Sequence, residues 1–159
     1  MEPMNGYMVE TFAPHKVLNT KLKVFSRGDF FAQNITDSIS ELVDAGRIAN
    51  GEVTILGMHT TSAVMLIEYE AGVLYDLRKA FEEIAPSHGD YAHHIRKVDR
   101  NGRGHALSAL FNRSLTVSIE NGHLVLGTYQ DIVFMDFQDL MLPRYISIRI
   151  KGVEHEHDF

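Results

Sequence analysis

The chain has 159 residues, a mass of 18.0 kDa and a formal net charge of −6, from 15 Lys and Arg against 21 Asp and Glu. Hydrophobic residues make up 45% of it and charged residues 23%, a globular composition that excludes a disordered or fibrous chain. The acidic balance argues against a broad nucleic-acid or anionic-membrane surface. Because there is no cysteine, disulfides, thiolate metal ligands and cysteine nucleophiles are excluded as well.

The organisation of the chain predicts a single domain. No apolar run is long enough to span a membrane, and the N-terminus lacks a signal-peptide pattern, so we expect a cytoplasmic protein that binds neither membrane nor nucleic acid. We expect the domain to cover residues 1–159, with a loose arm over residues 1–15 and a mobile tail over residues 153–159. The nine histidines are the feature that points to chemistry.

Hydrophobic periodicity and turn residues predict the secondary structure. The predicted elements, in chain order, are a strand over residues 18–24, a turn at 27–29, a helix beginning near 38, strands over 53–58 and 64–67, a helix over 71–84, a short helix over 105–111, and strands over 115–119, 123–126, 132–137 and 144–150. Ser38 and Glu41 form a capping-box pattern for the first helix, and Asn50-Gly51 is expected to end it. Asn121-Gly122 predicts a tight hairpin turn.

The predicted strands and helices are segregated rather than alternating. This arrangement predicts the α+β class: a mainly antiparallel β-sheet or sandwich with two or three helices packed on it. Residues 87–104 are predicted to form a long polar loop, and a loop of this length inside a compact domain is commonly functional.

The densest group of candidate ligands lies in and just after this loop. It contains His93, His94, Asp99 and His105, and neutral imidazole is the commonest protein ligand for a borderline ion such as Zn²⁺. The spacing from His93 to His105 matches no compact zinc motif, so a solvated loop with incidental histidines is an equal alternative. If the backbone there is extended, His94 faces away from His93 and is expected to tolerate alanine.

Other candidates lie at the ends of predicted strands. His59 ends a strand and precedes three hydroxyl residues, Thr60, Thr61 and Ser62, which is either an anion-binding turn or a surface turn. Glu68 and Glu70 are expected to share one face of a strand end.

Two further segments have a structural and a functional interpretation. Gly127-Thr128-Tyr129-Gln130 is either a hairpin turn or a ligand-binding turn. Arg144 begins the last strand and is either a surface charge or a bidentate phosphate ligand.

The order of these segments resembles the YjbQ-like family, over about residues 18–152. The matching residues are His59 to Ser62, Glu68, Tyr91 and His93, Asn101-Gly102 with His105, Gly127 to Gln130, and Arg144. The chain departs from the family pattern at three positions. Tyr129 replaces a tryptophan, Ile67 replaces an asparagine, and Arg103 stands where many members have a further histidine.

The resemblance implies an α+β homotrimer with histidine-rich pockets near subunit boundaries. It also implies a thiamine-phosphate synthase activity, in which a hydroxymethylpyrimidine diphosphate and a thiazole phosphate are joined and pyrophosphate is released. That activity is secondary in the members known for it.

Together these observations predict an enzyme that handles a phosphorylated small molecule. We expect His59, His93 and His105 to hold a divalent metal, most simply Zn²⁺, that neutralises phosphate oxygens. Arg144 is expected to hold another phosphate oxygen, with Glu68 or Asp99 as a base or as an orienting partner. The residues expected to contact the bound molecule are Thr60, Thr61, Ser62, Asn101 and Gln130. A metal-dependent phosphate-ester hydrolase, a non-catalytic binding trimer and a purely structural protein are the alternatives.

Overall fold

The computed structural model describes residues 16–96 and 99–155, together with the backbone of two short strands, β1 (Pro3–Met4) and β2 (Tyr7–Met8). These two strands pair with each other in an antiparallel ribbon. The rest of the predicted N-terminal arm and residues 156–159 of the predicted tail lie outside the described residues.

The remaining elements form two sheets and four helices within the described ranges. In chain order they are β3 (Lys16–Ser26), β4 (Phe31–Asn34), α1 (Thr36–Gly46), β5 (Ile48–Gly57), β6 (Ser62–Ile67), α2 (Ala71–Ile84), α3 (Ala92–Arg96), α4 (Gly102–Leu110), β7 (Ser114–Glu120), β8 (His123–Leu124), β9 (Asp131–Asp136) and β10 (Leu142–Glu154). The larger sheet has the order β3-β10-β5-β7-β8 and the smaller one β4-β9-β6. Each of these strand pairs is antiparallel, which confirms the predicted α+β class.

Strand β10 lies between the edge strand β3 and the central strand β5 of the larger sheet. Ile146, Ile148 and Ile150 alternate with outward residues and are almost completely buried, as the sequence predicts. The strand is longer than predicted, because it continues to Glu154 and the His155 N–H then donates to the Arg47 carbonyl at 3.0 Å. The described structure therefore extends past residue 153, where the tail was expected to begin.

Two apolar cores hold the layers together. The larger one joins α1 to β3, β5, β7, β9 and β10. In the second, Phe81 of α2 contacts the rings of Phe30, Phe111 and Phe137, with centroids 5.5, 4.6 and 5.8 Å away. Burial of each such ring contributes about 1.5–3 kcal/mol, so this cluster fixes α2 and α4 against the smaller sheet.

The boundaries of α1 differ from the sequence prediction at both ends. The Asn34 Oδ1 atom accepts from the Thr36 N–H at 3.0 Å, so the helix begins at Thr36 and Ser38 lies inside it. The prediction of a capping box at Ser38 is therefore wrong. The helix ends at Gly46 and is capped by Arg47, which has a left-handed φ of 56°, while Asn50-Gly51 lies within β5. Strand β5 begins at Ile48, two residues after the end of the helix. Asn50-Gly51 therefore pairs with neighbouring strands and does not end the helix.

The other turns and helices follow the predictions more closely. Asn121 and Gly122 have φ values of 50° and 81°, as a type I′ hairpin turn requires. The stretch over residues 87–104 is not one continuous loop, because it contains α3 and the first turn of α4. None of the helices that the structure describes is both long and apolar enough to cross a membrane.

Candidate functional site

Helices α3 and α4 bring His93 and His105 into contact. Their ring centroids are 4.7 Å apart at an angle of 61°, and the Asp99 carboxylate lies 3.9 Å from the His93 Nε2 atom. That Nε2 atom is buried and has no hydrogen-bond partner among the residues that the structure describes. A buried polar nitrogen without a partner is uncommon, and an ion is one of the groups that satisfies it.

His94 lies on a different side of α3 and has a structural contact of its own. Its Nε2 atom accepts a hydrogen bond from the Gly102 N–H at 3.1 Å, and its ring packs on Tyr91 at 5.2 Å. The expectation of an extended backbone here is wrong, because residues 92–96 are helical and successive side chains in a helix point about 100° apart. The side chain of His94 therefore connects α3 to the N-terminus of α4 by a hydrogen bond.

His59 lies in the turn between β5 and β6, and its ring is bonded to β10. Its Nε2 atom accepts from the Tyr145 N–H at 3.1 Å, and its carbonyl accepts from the Ser62 Oγ at 3.1 Å. Burial lowers the pKa of His59 below its ordinary value of 6.5, and the Arg144 charge lowers it further, while Asp136 acts in the opposite direction.

Arg144 is buried against Asp136. The Arg144 Nε and Nη2 atoms donate to the two carboxylate oxygens at 2.7 and 3.0 Å, and the two residues are only 6% and 0% exposed. Of the two alternatives for Arg144, a surface charge is therefore wrong, and the role of phosphate ligand stays a prediction. Asp136 was missed from the sequence, although a carboxylate that ends the apolar run of β9 has to be paired if it is buried.

A series of hydrogen bonds connects this ion pair to α4. The Gln138 N–H donates to Asp136 Oδ1 at 3.2 Å, and Asn101 Nδ2 donates to Gln138 Oε1 at 3.1 Å. Asn101 precedes α4, and its carbonyl accepts from the His105 N–H at 3.1 Å. The Asn101 Oδ1 atom is buried and has no partner in the described part of the chain. Asn101 and the buried Gln138, which sequence reasoning missed, thus connect the Arg144 region to the helix that carries His105.

The hydroxyl turn after His59 lies against the same helix. Thr61 is buried, and its backbone carbonyl accepts a hydrogen bond from the Phe137 N–H at 2.8 Å. The Ser62 carbonyl accepts from the Ser108 Oγ of α4, also at 2.8 Å. A Cβ atom at Gly104 would lie 2.8 Å from the Phe137 carbonyl and 3.2 Å from the Thr61 methyl. Glycine at this position therefore permits α4 to approach the turn closely, whereas Thr60 is exposed.

Glu68 and Gln130 lie elsewhere in this chain. Ser62 pairs with Asp136 at one end of β6 and β9, whereas Ile67 pairs with Asp131 at the other end. Five residues of strand span about 17 Å, so Glu68 and Gln130 are remote from Ser62. The Gln130 Oε1 atom accepts from the Gly127 N–H at 2.8 Å and closes its own turn.

Glu70 does not share a strand face with Glu68. Its carboxylate accepts from the Gly72 and Val73 N–H groups at 2.8 and 3.0 Å and caps α2, and these bonds lower the pKa of Glu70. Arg103, which stands where many relatives are expected to have a histidine, donates to the Ala85 carbonyl at 2.7 Å. Arg103 therefore ties α4 to α2.

Two adjoining cavities lie on the His94 side of this region. The larger has a volume of about 1110 Å³ and the smaller about 110 Å³, and both are lined by Ser87, His94, Arg100 and Asp139. Asn101 lines the smaller one as well. The linings of these two cavities do not include His59, His93 or His105.

The described residues offer two adjacent side chains of the type that binds a divalent ion. The His93 and His105 imidazoles are adjacent, and borderline ions such as Zn²⁺ favour such nitrogen ligands. In residues 16–96 and 99–155, no three His, Asp or Glu side chains stand close enough to hold an ion as they are placed. The His59 Nε2 atom does not face this pair as a free ligand, because it accepts a hydrogen bond from the Tyr145 N–H.

These features define an α+β protein with antiparallel sheets and a histidine pair held between two short helices. The family model of the UPF0047 protein YjbQ-like family matches residues 20–153, so the chain belongs to this family. A UPF0047 protein of Archaeoglobus fulgidus is 34% identical over 120 residues, which cover 76% of this chain and 89% of that protein. One from Methanothermobacter thermautotrophicus is 32% identical over 117 residues, 74% of this chain and 78% of that protein.

Solved structures share the fold. A YbjQ-like protein of unknown function from Sulfolobus solfataricus superposes with a TM-score of 0.83 at 25% identity, covering 88% of this chain and all of that one. An uncharacterised conserved protein of the same family from Clostridium acetobutylicum gives a TM-score of 0.74 at 26% identity, over 82% of this chain and 98% of the other.

Proposed function

We propose that this protein is an enzyme that binds a divalent metal through His93 and His105 and acts on a phosphorylated small molecule. The observation that carries the proposal is the buried Nε2 atom of His93, which lies beside a second imidazole and has no hydrogen-bond partner among the described residues. A buried ring nitrogen without a partner costs free energy unless something binds it. Zn²⁺ is the simplest such partner, because both ligands are imidazoles.

The two cavities on the His94 side of α3 offer space for a small molecule next to the helix that carries His93. Their combined lining contains Arg100 and Asn101, so one side chain offers a cationic group and the other an amide to a polar ligand. When bound, the metal would neutralise phosphate oxygens. The side chains of this chain would bind and orient the rest of the molecule, with Asp99, whose carboxylate lies 3.9 Å from the same His93 Nε2 atom, as the candidate base.

The reaction that the family resemblance implies is a thiamine-phosphate synthase-type transfer with release of pyrophosphate. We propose it as a secondary activity of this chain. Arg144 is kept as a candidate phosphate ligand, although its pairing with Asp136 already engages two of its nitrogens. We also propose a cytoplasmic location.

A homotrimer is the assembly that we propose, and exposed apolar side chains support it. Phe25 is 63% exposed on the edge strand β3, and it is paired with Pro143 two residues before the 39% exposed Tyr145. Leu140 and Met141, which precede β10, are 56% and 65% exposed. A patch of this kind on one end of a sheet is commonly an interface. Other copies of this chain are the occupants that the resemblance implies.

The test is an assay of pyrophosphate and phosphate release by the purified, zinc-loaded protein. Pyrophosphate formed only when the pyrimidine diphosphate and the thiazole phosphate are both present supports the synthase reaction. Phosphate released from a single ester supports the hydrolase alternative. If neither product forms while zinc and phosphate esters bind, the protein is a binding trimer. The His93→Ala variant is the control for a contaminating activity.

A further inference from the structure

The ring of His59 takes part in the hydrogen-bond ladder of the larger sheet. Strand β5 ends at Gly57, and the Met58 N–H still donates to the Tyr145 carbonyl at 3.3 Å. The Tyr145 N–H points the same way but donates to the His59 Nε2 atom at 3.1 Å. The imidazole therefore takes the place of a backbone carbonyl of β5 as the acceptor. Near the N-terminal end of β10, the Tyr145 N–H has the His59 ring as its hydrogen-bond partner.

This contact decides where the proton of His59 lies. A nitrogen that accepts a hydrogen bond carries a lone pair, so the proton of a neutral ring is on Nδ1. A protonated ring would place an N–H against the Tyr145 N–H. Burial and the neighbouring Arg144 charge both lower the pKa of His59, in the same direction as the hydrogen bond.

The tautomer has a consequence for metal binding. Neither ring nitrogen offers a free lone pair, because Nε2 is bonded to Tyr145 and Nδ1 carries the hydrogen. None of the described residues bonds to Nδ1, and the ring is partly exposed. The Nδ1–H group is therefore available to a bound molecule as a donor, in the neighbourhood of the buried Arg144–Asp136 pair.

We infer that His59 is a neutral hydrogen-bond donor to a phosphate oxygen of the substrate and is not the third metal ligand. The inference rests on the proposed function, since it divides the roles between neighbouring segments: His93 and His105 for the metal, and His59, whose turn packs against α4, for the phosphorylated ligand. It replaces the sequence-based expectation that all three histidines hold one ion. It also predicts that changes at His59 and at His93 have different effects on metal and on phosphate binding.

The direct test is long-range ¹H–¹⁵N NMR of the full-length protein labelled with ¹⁵N-histidine, at neutral pH. The expected spectrum shows His59 as the neutral Nδ1–H tautomer. Zn²⁺ is expected to shift His93 and His105 and leave the His59 nitrogens unchanged, and inorganic pyrophosphate is expected to shift the His59 Nδ1–H proton. A proton on Nε2, or a His59 shift with Zn²⁺ as large as that of His93, overturns the inference while the proposed function stands. If neither ion shifts any histidine, the proposed function fails.

Matched variants test the same division by calorimetry. Glutamine offers an oxygen for the Tyr145 N–H and an N–H for the ligand, so His59→Gln is expected to keep pyrophosphate affinity within about threefold. His59→Ala is expected to lose about tenfold, the effect of one hydrogen bond to a charged group. Both variants are expected to keep wild-type affinity for Zn²⁺. Loss of Zn²⁺ affinity in His59→Ala to the level of His93→Ala overturns the inference.

Discussion

The imidazole of His94 accepts a hydrogen bond from the backbone N–H of Gly102, 3.1 Å away, and so joins α3 to the first turn of α4. A Cβ atom at Gly102 would lie 2.7 Å from the Cβ of Tyr91, so the close approach of the two helices requires glycine there. The next residue back, His93, meets His105 one turn along α4. Two consecutive histidines therefore have separate tasks, one between the helices and one in the proposed metal pair.

Replacing His94 tests this contact. His94→Ala leaves the Gly102 N–H without its acceptor, which is expected to lower the free energy of unfolding by about 1 kcal/mol, as the loss of a helix cap does. His94→Gln keeps an acceptor at similar reach and is the control. Urea denaturation measures both, and amide exchange at Gly102 reports the contact itself. Equal stability of the alanine variant, the glutamine variant and the wild type would contradict a capping role.

The Asp136–Arg144 pair predicts a larger effect. Asp136→Asn leaves the buried guanidinium without its counter-charge, and we expect a loss of about 3–5 kcal/mol in the free energy of unfolding. Glu52→Gln breaks the exposed Lys151–Glu52 pair, with nitrogen and oxygen 2.7 Å apart, and is expected to cost no more than about 1 kcal/mol. Thermal and urea unfolding compare the two variants. Similar small losses in both would mean that the buried pair contributes little.

The lowered pKa of His59 predicts how stability depends on pH. Because the folded protein binds a proton at His59 less readily than the unfolded chain, whose value is near 6.5, this group stabilises the fold above that pH. The contribution is lost as the pH falls from 6.5 towards the folded-state pKa. Wild type is therefore expected to lose more stability than His59→Gln between about pH 8 and about pH 5. The exposed His123→Gln controls for the other histidines, and parallel curves for all three proteins would count against the prediction.

Sedimentation tests the proposed trimer. At micromolar concentration the protein is expected to sediment at about three times its 18.0 kDa chain mass. Phe25→Asp places a charge in the exposed apolar patch and is expected to shift the mass towards the monomer. Tyr75→Asp alters a comparably exposed aromatic residue, 65% against 63%, on α2 and is the control. A wild-type monomer would exclude a pocket shared between subunits.

Local periodicity was sufficient to predict most of the fold. The alternation of Ile146, Ile148 and Ile150 reports a buried strand face, and α2 spans the predicted residues because its apolar face repeats along the helix. Prediction failed where residues that favour a local turn or cap instead pair with residues distant in the sequence. Asn50-Gly51 has the composition of a helix stop, but it is paired with β10 and β7 inside the sheet.

The candidate site was only partly predictable for the same reason. Residue types and the family resemblance identified His93 and His105, but not the short helix that sends His93 and His94 in different directions. The hydrogen bonding of His59 depends on two features: β5 ends two residues before it, and the backbone N–H of Tyr145 donates to its ring. No sequence pattern near His59 contains that information. Asp136 had a readable signal, a carboxylate at the end of the apolar run of β9, but its meaning depended on finding Arg144 beside it.

The central claim is that His93 and His105 together hold a divalent metal. Calorimetric titration of chelator-treated protein with Zn²⁺ tests it most directly, with His94→Gln as the matched control for a change at the neighbouring residue. We expect about one Zn²⁺ per chain in the wild type and in His94→Gln, and a loss of more than about 100-fold in affinity in His93→Ala and in His105→Ala. Wild-type protein that binds no Zn²⁺, or alanine variants that bind it as tightly as the wild type, would contradict a metal site at this histidine pair.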